Sequence, residues 1–451
     1  MKQNKLLEMM FQHETWVNAM DKANEKGINL TTLKQLATPQ VRVRLYQMIV
    51  SEQFEIAPSR MAQIPKDTPG EMRTVFICED SDRILLSIIN DCLFNLFPDM
   101  VHPQCKSYRS NESCGKTVQE VSREMVKLNK ITHHRHIGNR YDFTKYFDQI
   151  DLNAILNVFD ELERRLGFEK NTEPVLNLLR KFYKSNLVFN LDGDLTEMYM
   201  GLRQGVATAS FLADVILYEL DDFMYKKYKY YWRYSDDLIC LAENTSEITN
   251  DINKIICKYG VKLNNKKTKE LYCDEFFKFL GFDLCGDKIT LSGRRAKKFA
   301  KEIYSRTIAK PNITPNQAKA NVKQFLYGNG DGYSWATATF SALQNCDEDI
   351  NVLNNYVMDA LRLCEIRHNY NQKRKENGLK PRKIKYNMAD LGGIGVVSNS
   401  TSHTLVRGKG SKVRTARERT EKEIEHYLSI GCLLNAYKTT RPLYETLVRS
   451  M

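Results

Sequence analysis

The sequence predicts an α+β protein, with a helix-rich start, a middle that mixes hairpins with helices, and a basic end. Three observations carry this. Apolar residues recur at helical spacing in segments such as DSDRILLSIINDCLFNLF and LNAILNVFDELERRL. Short apolar runs flank turn residues at Asp192-Gly193, Asp236-Asp237 and Gly286-Asp287. Between Arg367 and Lys422, 15 Lys/Arg face 4 Asp/Glu, so most of the formal net charge of +12 is concentrated there.

Taken in order, the first 60 residues read as helices and end at the loop APSRMAQIPKDTPGEM. A short strand, 74–78, precedes the helix that starts at Asp80-Ser81-Asp82. The polar loop HPQCKSYRSNESCGKT leads to a helix expected over about 118–128. YDFTKYFDQI reads as a strand passing into a helix, and LNAILNVFDELERRL and VLNLLRKFYKSN as amphipathic helices. LVFNLDGDLTEMYM reads as a hairpin, and ASFLADVILYELDDFMYKKY as one helix. SEITNDINKIICKYG is a helix ending at Gly260, a natural C-cap. Two short strands surround Gly286-Asp287, and beyond Ser292 the chain is expected to be mostly helical, interrupted by a glycine-rich basic stretch from Leu391 to Lys412.

Composition narrows the function. A hydrophobic content of 42% and a charged content of 27% describe an ordinary globular protein with material for two or three cores in 451 residues. The positive balance favours a polyanionic partner such as nucleic acid. The 11 cysteines include no pair at CxxC spacing and read as reduced thiols of a cytoplasmic protein. MKQNKLLEMMFQHETW breaks its apolar run at Glu8 and does not read as a signal peptide, and no apolar run nears the ~20 residues of a membrane span.

The segment YYWRYSDDLICLA poses an electrostatic problem. A tight hairpin places Asp236 and Asp237 side by side at one sheet end, and two carboxylates there need a cation. Hard oxygen donors of this kind suit Mg²⁺ or Mn²⁺. Turn chemistry alone also explains an Asp-Asp pair. A third carboxylate, Asp142, ends an expected strand just before Tyr146-Phe147. If that strand neighbours the hairpin, three carboxylates can hold two ions that activate a 3′-hydroxyl and stabilise leaving pyrophosphate.

With these residues assembled, the chain resembles a reverse transcriptase from about residue 30 to 290. IPKDTPGEMR (64–73) is similar to the fingers segment that grips the incoming triphosphate. DRILLSII (82–89) and SYR (107–109) follow as in bacterial members, the latter as a template-side loop. YDFTKYFDQI, GLRQGVATASFLAD (201–214), YSDD, VKLNNKKTK (261–269) and FKFLGFDL (277–284) resemble motifs A to E in family order. The resemblance implies a right-hand polymerase of fingers, palm with an antiparallel sheet, and helical thumb, plus a basic, mostly helical C-terminal region. The expected divisions are 1–140 for N-terminal helices and fingers, 141–290 for palm with inserted fingers elements, 291–365 for a thumb-like region, and 366–451 for the basic region.

The same resemblance implies the roles. Asp142, Asp236 and Asp237 bind the metals, joined by the carbonyl of Phe143. Lys66 and Arg73 neutralise the triphosphate, Arg73 by a bidentate fork. Phe147, five residues after Asp142, is the aromatic gate that leaves no room for a ribose 2′-hydroxyl, and this implies dNTPs and a DNA product. Gln204 and Gly205 form the turn on which template base and nucleotide pack. The sequence departs from its relatives there: Arg203 replaces the usual Pro, and Ala209-Ser210 the usual Ser-Pro. Lys267 has two readings, a proton donor to pyrophosphate or a solvated charge in NNKKTK. Phe279, Leu280 and Gly281 match the primer grip. Arg109, Lys373, Arg374, Lys375, Arg382, Lys383, Arg407, Lys409, Lys412 and Arg414 are the candidate nucleic-acid contacts, with Tyr370, Tyr386 and Tyr427 interleaved for stacking. His133, His134 and His136 read as a basic loop contacting phosphate, since they lack a Cys or carboxylate partner at ligand spacing.

Neither an intron endonuclease's Cys/His set nor an RNase H acidic quartet follows the palm. The chain is therefore most similar to bacterial stand-alone enzymes: retrons, diversity-generating retroelements and, by its motif B and tail, the unknown-group enzymes of anti-phage defence. Such a resemblance implies a dedicated noncoding RNA as template, with a homo-oligomer or accessory protein as further partner. Template-independent or protein-primed synthesis, RNA-dependent RNA synthesis, and an idle nucleic-acid-binding scaffold are the alternatives.

Overall fold

The fold was analysed in a computed structural model, which describes residues 4–25, 28–36, 38–66, 70–109, 111–133, 135–242, 244–328 and 335–412. The chain divides into two compact units, one of residues 1–111 with 139–269, the other of 112–138 with 270–451.

In the first unit the acidic hairpin forms because two apolar strands are separated by only two residues. Tyr230–Tyr234 and Asp237–Leu241 pair antiparallel with Tyr234 opposite Asp237, leaving Ser235 and Asp236 to turn the chain. Ser235 takes φ 56°, as a two-residue connection demands. Tyr231, Leu238, Ile239, Cys240 and Leu241 are wholly buried, and each such side chain contributes about 1.5–3 kcal/mol by leaving water. Strand His136–Asp142 lies next to Asp237–Leu241 in this sheet.

Helices enclose the sheet. Asp80–Leu96 buries Ile84, Leu85, Ile88, Ile89, Cys92 and Leu93 along one face. Leu152–Leu166 starts at Asp151, whose side chain accepts from Asn153 N at 2.7 Å, and stops at Gly167 with φ 75°. Pro174–Lys184 carries Pro at its first position, and Glu173 caps it by accepting from Leu176 N at 2.6 Å. A second sheet runs in the order Met72–Ile77, Ser59–Pro65, Leu187–Phe189, Leu195–Glu197.

The segment expected as one helix from Ala209 onward is two, Ala209–Ile216 and Tyr218–Tyr228. The break has a visible cause. The carbonyls of Ala213 and Asp214, which would accept from residues 217 and 218 in an unbroken helix, are taken by side chains. Tyr146 Oη donates to Ala213 O at 2.6 Å, and Arg233 donates to Ala213 O at 3.2 Å and Asp214 O at 2.8 Å.

In the second unit helix Cys114–Thr132 is longer than expected at both ends, capped by Ser113 and closed at His133 with φ 55°. This corrects the histidine loop: His133 is a helix C-cap, His136 opens a strand, and His134 lies outside the described residues. Phe277–Phe279, Phe282–Cys285 and Lys288–Leu291 form a three-stranded sheet, followed by helices Gly293–Arg306, Pro315–Tyr327 and the 30-residue Asp347–Glu376. The glycine-rich basic stretch is a hairpin, Ile394–Ser398 with His403–Arg407. Buried Asp349 ties it down, accepting from Leu405 N at 2.7 Å and Thr290 Oγ1 at 2.5 Å.

Candidate active site

Side chains alternate along a strand, so Arg140 and Asp142 share a face of His136–Asp142. Arg140 reaches the neighbouring hairpin and donates to Asp237 Oδ1 through Nη2 at 2.6 Å and Nε at 3.2 Å. Asp142 is nearly buried and receives Lys267 Nζ at 3.1 and 3.2 Å on its two oxygens. Backbone contacts bring Lys267 there: Asn264 N donates to Asp142 O and Thr144 N to Lys262 O, both at 2.8 Å. Among the described residues no cation pairs with Asp236 in this way. Burial, joined by the charges of Asp237 and Asp142, pushes its carboxyl up to about 6, with Arg73 opposing. The three carboxylates are therefore electrostatically coupled at one end of the sheet.

Among the described residues no three His, Cys, Asp or Glu side chains converge as a ready metal cage. Two of the acidic groups are instead turned towards Arg140 and Lys267. The donor set still fits hard divalent cations: oxygen ligands, one of them half-buried beside two like charges.

The hairpin rests on a buried polar network. Ser235 N donates to Ser107 Oγ at 3.0 Å, and Ser107 Oγ donates to Asp214 Oδ1 at 2.5 Å. Burial raises the Asp214 carboxyl to about 7, with Arg233 the largest opposing influence. Arg233, fully buried, forms a two-pronged pair with buried Asp221 at 2.6 and 2.7 Å, and Tyr231 Oη also donates to Asp221 at 2.7 Å. Strand 230–234 is held in turn by the 104–108 loop, where Lys106 N donates to Arg233 O and Arg233 N to Gln104 O. Tyr108 Oη donates to Ser235 Oγ at 3.3 Å.

Lys66, Arg73 and Lys145 all act on the half-buried Asp148, whose pKa is raised by burial and drawn back by these three cations. The expected triphosphate residues thus share a neighbourhood with Phe147. Phe147 lies in the short helix Tyr146–Gln149, its ring edge-on to Tyr146, and its carbonyl accepts from Leu202 N at 2.7 Å. Gln204 gives its carbonyl to Phe76 N at 2.8 Å, on the strand that carries Arg73. Gly205 adopts φ 105°, and a Cβ there would meet Phe76 O at 3.0 Å, which explains the need for glycine. Arg203 has φ 57°, which the proline usual at this place cannot adopt. Arg109 lines a cavity of about 920 Å³ with Asn18, Lys22, Asn90 and Tyr108. Sequence reasoning missed Arg140, Lys145, Ser107 and Asp214; Lys145, Ser107 and Asp214 lay within segments read as motifs, and Arg140 just before one.

In the second unit Phe279, Leu280 and Gly281 make a tight turn with φ 48° at Leu280 and 82° at Gly281. A Cβ at Gly281 would lie 2.5 Å from Arg295 Nε, the guanidinium that covers the Phe282 ring. Lys373, Arg374 and Lys375 end the long helix, and Arg382, Lys383, Lys409 and Lys412 are exposed. Arg407 departs from its expected role. It turns inward, pairs with buried Asp359 at 2.8 Å, donates to Gly393 O and Leu391 O, and covers the Tyr356 ring. Its charge is used by the fold, because Asp359 lacks water to solvate it. Arg414 and Tyr427 lie outside the described residues.

Residues 64–284 match the family of reverse transcriptases (RNA-dependent DNA polymerases). Over these residues the chain carries a reverse transcriptase domain. It is 24% identical over 226 residues to the COX1/OXI3 intron 1 protein of Saccharomyces cerevisiae, covering 49% of this chain and 25% of that protein. With Protein YkfC of Escherichia coli it shares 20% identity over 297 residues, covering 57% of this chain and 74% of that one. The chain spans about a quarter of the yeast intron 1 protein. Among solved structures, apo telomerase from Candida tropicalis superposes with a TM-score of 0.42 at 13% identity, covering 71% of this chain and 58% of that one. The RNA-dependent RNA polymerase of a human picobirnavirus gives 0.38 at 15% identity, over 53% and 48% of the two chains. No helix among the described residues is long and apolar enough to cross a membrane.

Proposed function

We propose that this reverse transcriptase is an RNA-directed DNA polymerase that adds dNTPs to a 3′-hydroxyl. The observation that carries the reading is that the strand ending at Asp142 lies beside the hairpin that turns at Ser235-Asp236 and resumes at Asp237, which gathers the three carboxylates at one sheet end. Asp142, Asp236 and Asp237, with the Phe143 carbonyl, would hold two Mg²⁺ ions, which supply activation of the hydroxyl and charge stabilisation of the leaving pyrophosphate. Lys66 and Arg73 bind the triphosphate. Phe147 excludes the 2′-hydroxyl by bulk, its backbone fixed by Leu202 N. Lys267, which donates to Asp142, would serve as proton donor to the leaving pyrophosphate. Exposed Lys373, Lys375, Lys383, Lys409 and Lys412 hold the template–product duplex by charge.

By family resemblance the template is a dedicated noncoding RNA and the setting bacterial anti-phage defence. Sequencing the nucleic acid that copurifies with the chain tests that part.

The polymerase reading is tested by extending a primed RNA template with labelled nucleotides. Product that resists ribonuclease and yields to deoxyribonuclease supports it. Label incorporated only from rNTPs contradicts it.

A further inference from the structure

Residues 200–206 form a turn that touches both halves of the nucleotide site. Gly201, at φ 54°, comes so close to the short helix Tyr146–Gln149 that a Cβ would lie 2.2 Å from Phe147 O. The next amide, Leu202 N, donates to that same oxygen at 2.7 Å. On the other side Gln204 O accepts from Phe76 N at 2.8 Å, three residues along the strand from Arg73. The turn is a bracket between the backbone of Phe147 and the strand of Arg73.

Arg203 stands in the middle of that bracket at φ 57°, a conformation that a residue with a side chain keeps only where its surroundings hold it. Its side chain is 1% exposed. Nη2 donates to the carbonyls of Phe182 and Ser185, at the C-terminal end of helix Pro174–Lys184. The guanidinium carbon lies 3.9 Å from the centre of the Phe182 ring and 5.7 Å from that of Tyr183. A helix C-terminus presents carbonyls without intrahelical partners and the negative end of the helix dipole, so this end is short of a cation and of donors. Arg203 supplies both. Burial lowers its pKa to about 10, which still leaves it charged at neutral pH. No carboxylate is among the groups that act on it. A buried cation without an acidic partner is costly, and its contacts here are all positional.

We propose that Arg203 is a positioning residue for nucleotide selection: locked onto the end of helix Pro174–Lys184, it holds the 200–206 turn in the conformation from which Leu202 fixes Phe147 and Gln204 fixes the strand of Arg73. The proposal rests on the reading of Phe147 and Arg73 as nucleotide-facing residues. Loosening the turn leaves Asp142, Asp236 and Asp237 in place, so the consequence falls on nucleotide binding and sugar choice before it falls on the chemical step.

The test compares Arg203→Met, Arg203→Lys, Gly201→Ala and Phe147→Ala in the full chain. Steady-state kcat and KM for dNTP and rNTP on a primed RNA template are measured alongside amide hydrogen exchange of peptides containing Leu202. Arg203→Met is expected to raise KM for dNTP about tenfold with kcat changed less than about threefold, to lower the dNTP preference about tenfold, and to speed exchange at Leu202. Arg203→Lys recovers part of each effect, because an ammonium still reaches one of the two carbonyls. Gly201→Ala, acting on the same contact from the turn side, lowers the preference too. A folded Arg203→Met with wild-type preference and wild-type Leu202 protection overturns the proposal. If Arg203→Met does not fold, Arg203→Lys decides by the same two readouts. Wild-type preference in Phe147→Ala would instead sink the gate reading alone, and exchange at Leu202 would then decide whether Arg203 anchors the turn.

Discussion

Arg140 and Asp237, on neighbouring strands of one sheet, form an ion pair of 2.6 Å in which both side chains are mostly shielded from water. The pair shows how the protein tolerates three carboxylates at one sheet end. Arg140 neutralises Asp237, Lys267 neutralises Asp142, and Asp236 is left as a half-buried carboxyl whose pKa is raised by burial and by its neighbours' charges.

Removing one of those protein cations makes the fold more dependent on metal. Arg140→Met is expected to lower stability by about 1–2 kcal/mol in the presence of a chelator, the range for a partly shielded pair that loses one member. Added Mg²⁺ then raises the thermal midpoint of the variant more than that of the wild type. Equal Mg²⁺ responses in the two proteins contradict this.

The pair Arg233–Asp221 behaves differently, because neither side chain touches water. Asp221→Ala leaves a buried guanidinium that also supports the carbonyls of Ala213, Asp214 and Ser235. The expected loss is about 3–5 kcal/mol, read from the urea midpoint. A loss below about 1 kcal/mol shows that water or another group takes over the charge.

Asp214 gives a pH signature. Its folded pKa of about 7 lies above the ordinary carboxylate value because it is buried, so the folded state binds the extra proton. Its contribution to stability is therefore full below about pH 4, declines as pH rises towards 7, and is flat above. Asp214→Asn keeps the acceptor for Ser107 without the ionisation. Between pH 5 and pH 7 the wild type is expected to lose about 2 kcal/mol relative to the Asn variant in urea titrations. Parallel curves across that range contradict it.

Much of this site was legible in the sequence, for a physical reason. The acidic hairpin is a local structure, two apolar strands two residues apart, and local patterns can be read from one chain segment. Asp142 was legible because it stands at a strand-to-helix change five residues before Phe147. Lys267 was singled out but its pairing with Asp142 was not, and Arg140 was not legible at all. That Arg140 meets Asp237 depends on which strands are neighbours, and the capture of the Ala213 carbonyl, where one expected helix becomes two, depends on Arg233 and Tyr146. Arg407 was misjudged because a count of charges carries no direction. Its partners Tyr356 and Asp359 lie about one helix earlier in the chain.

The basic C-terminal stretch separates accordingly. Lys373→Gln with Lys375→Gln is expected to weaken RNA binding and to flatten the slope of log Kd against log salt by about 1–2, with the fold unchanged. Arg407→Met is expected to cost about 2 kcal/mol or more of stability, since Asp359 is left buried without its cation. An Arg407→Met protein of wild-type stability that binds RNA less tightly would restore its nucleic-acid role.

The central claim is that Asp142, Asp236 and Asp237 form the polymerase site, and the measurement that tests it most directly is single-turnover dNTP addition by the Asp236→Asn, Asp237→Asn double variant. The variant keeps side-chain volume and removes both charges, so thermal unfolding reports whether the hairpin survives. Loss of at least about a thousandfold in rate, roughly 4 kcal/mol of transition-state stabilisation, with the fold retained, is the expected result. Wild-type-like addition by the folded double variant contradicts the account.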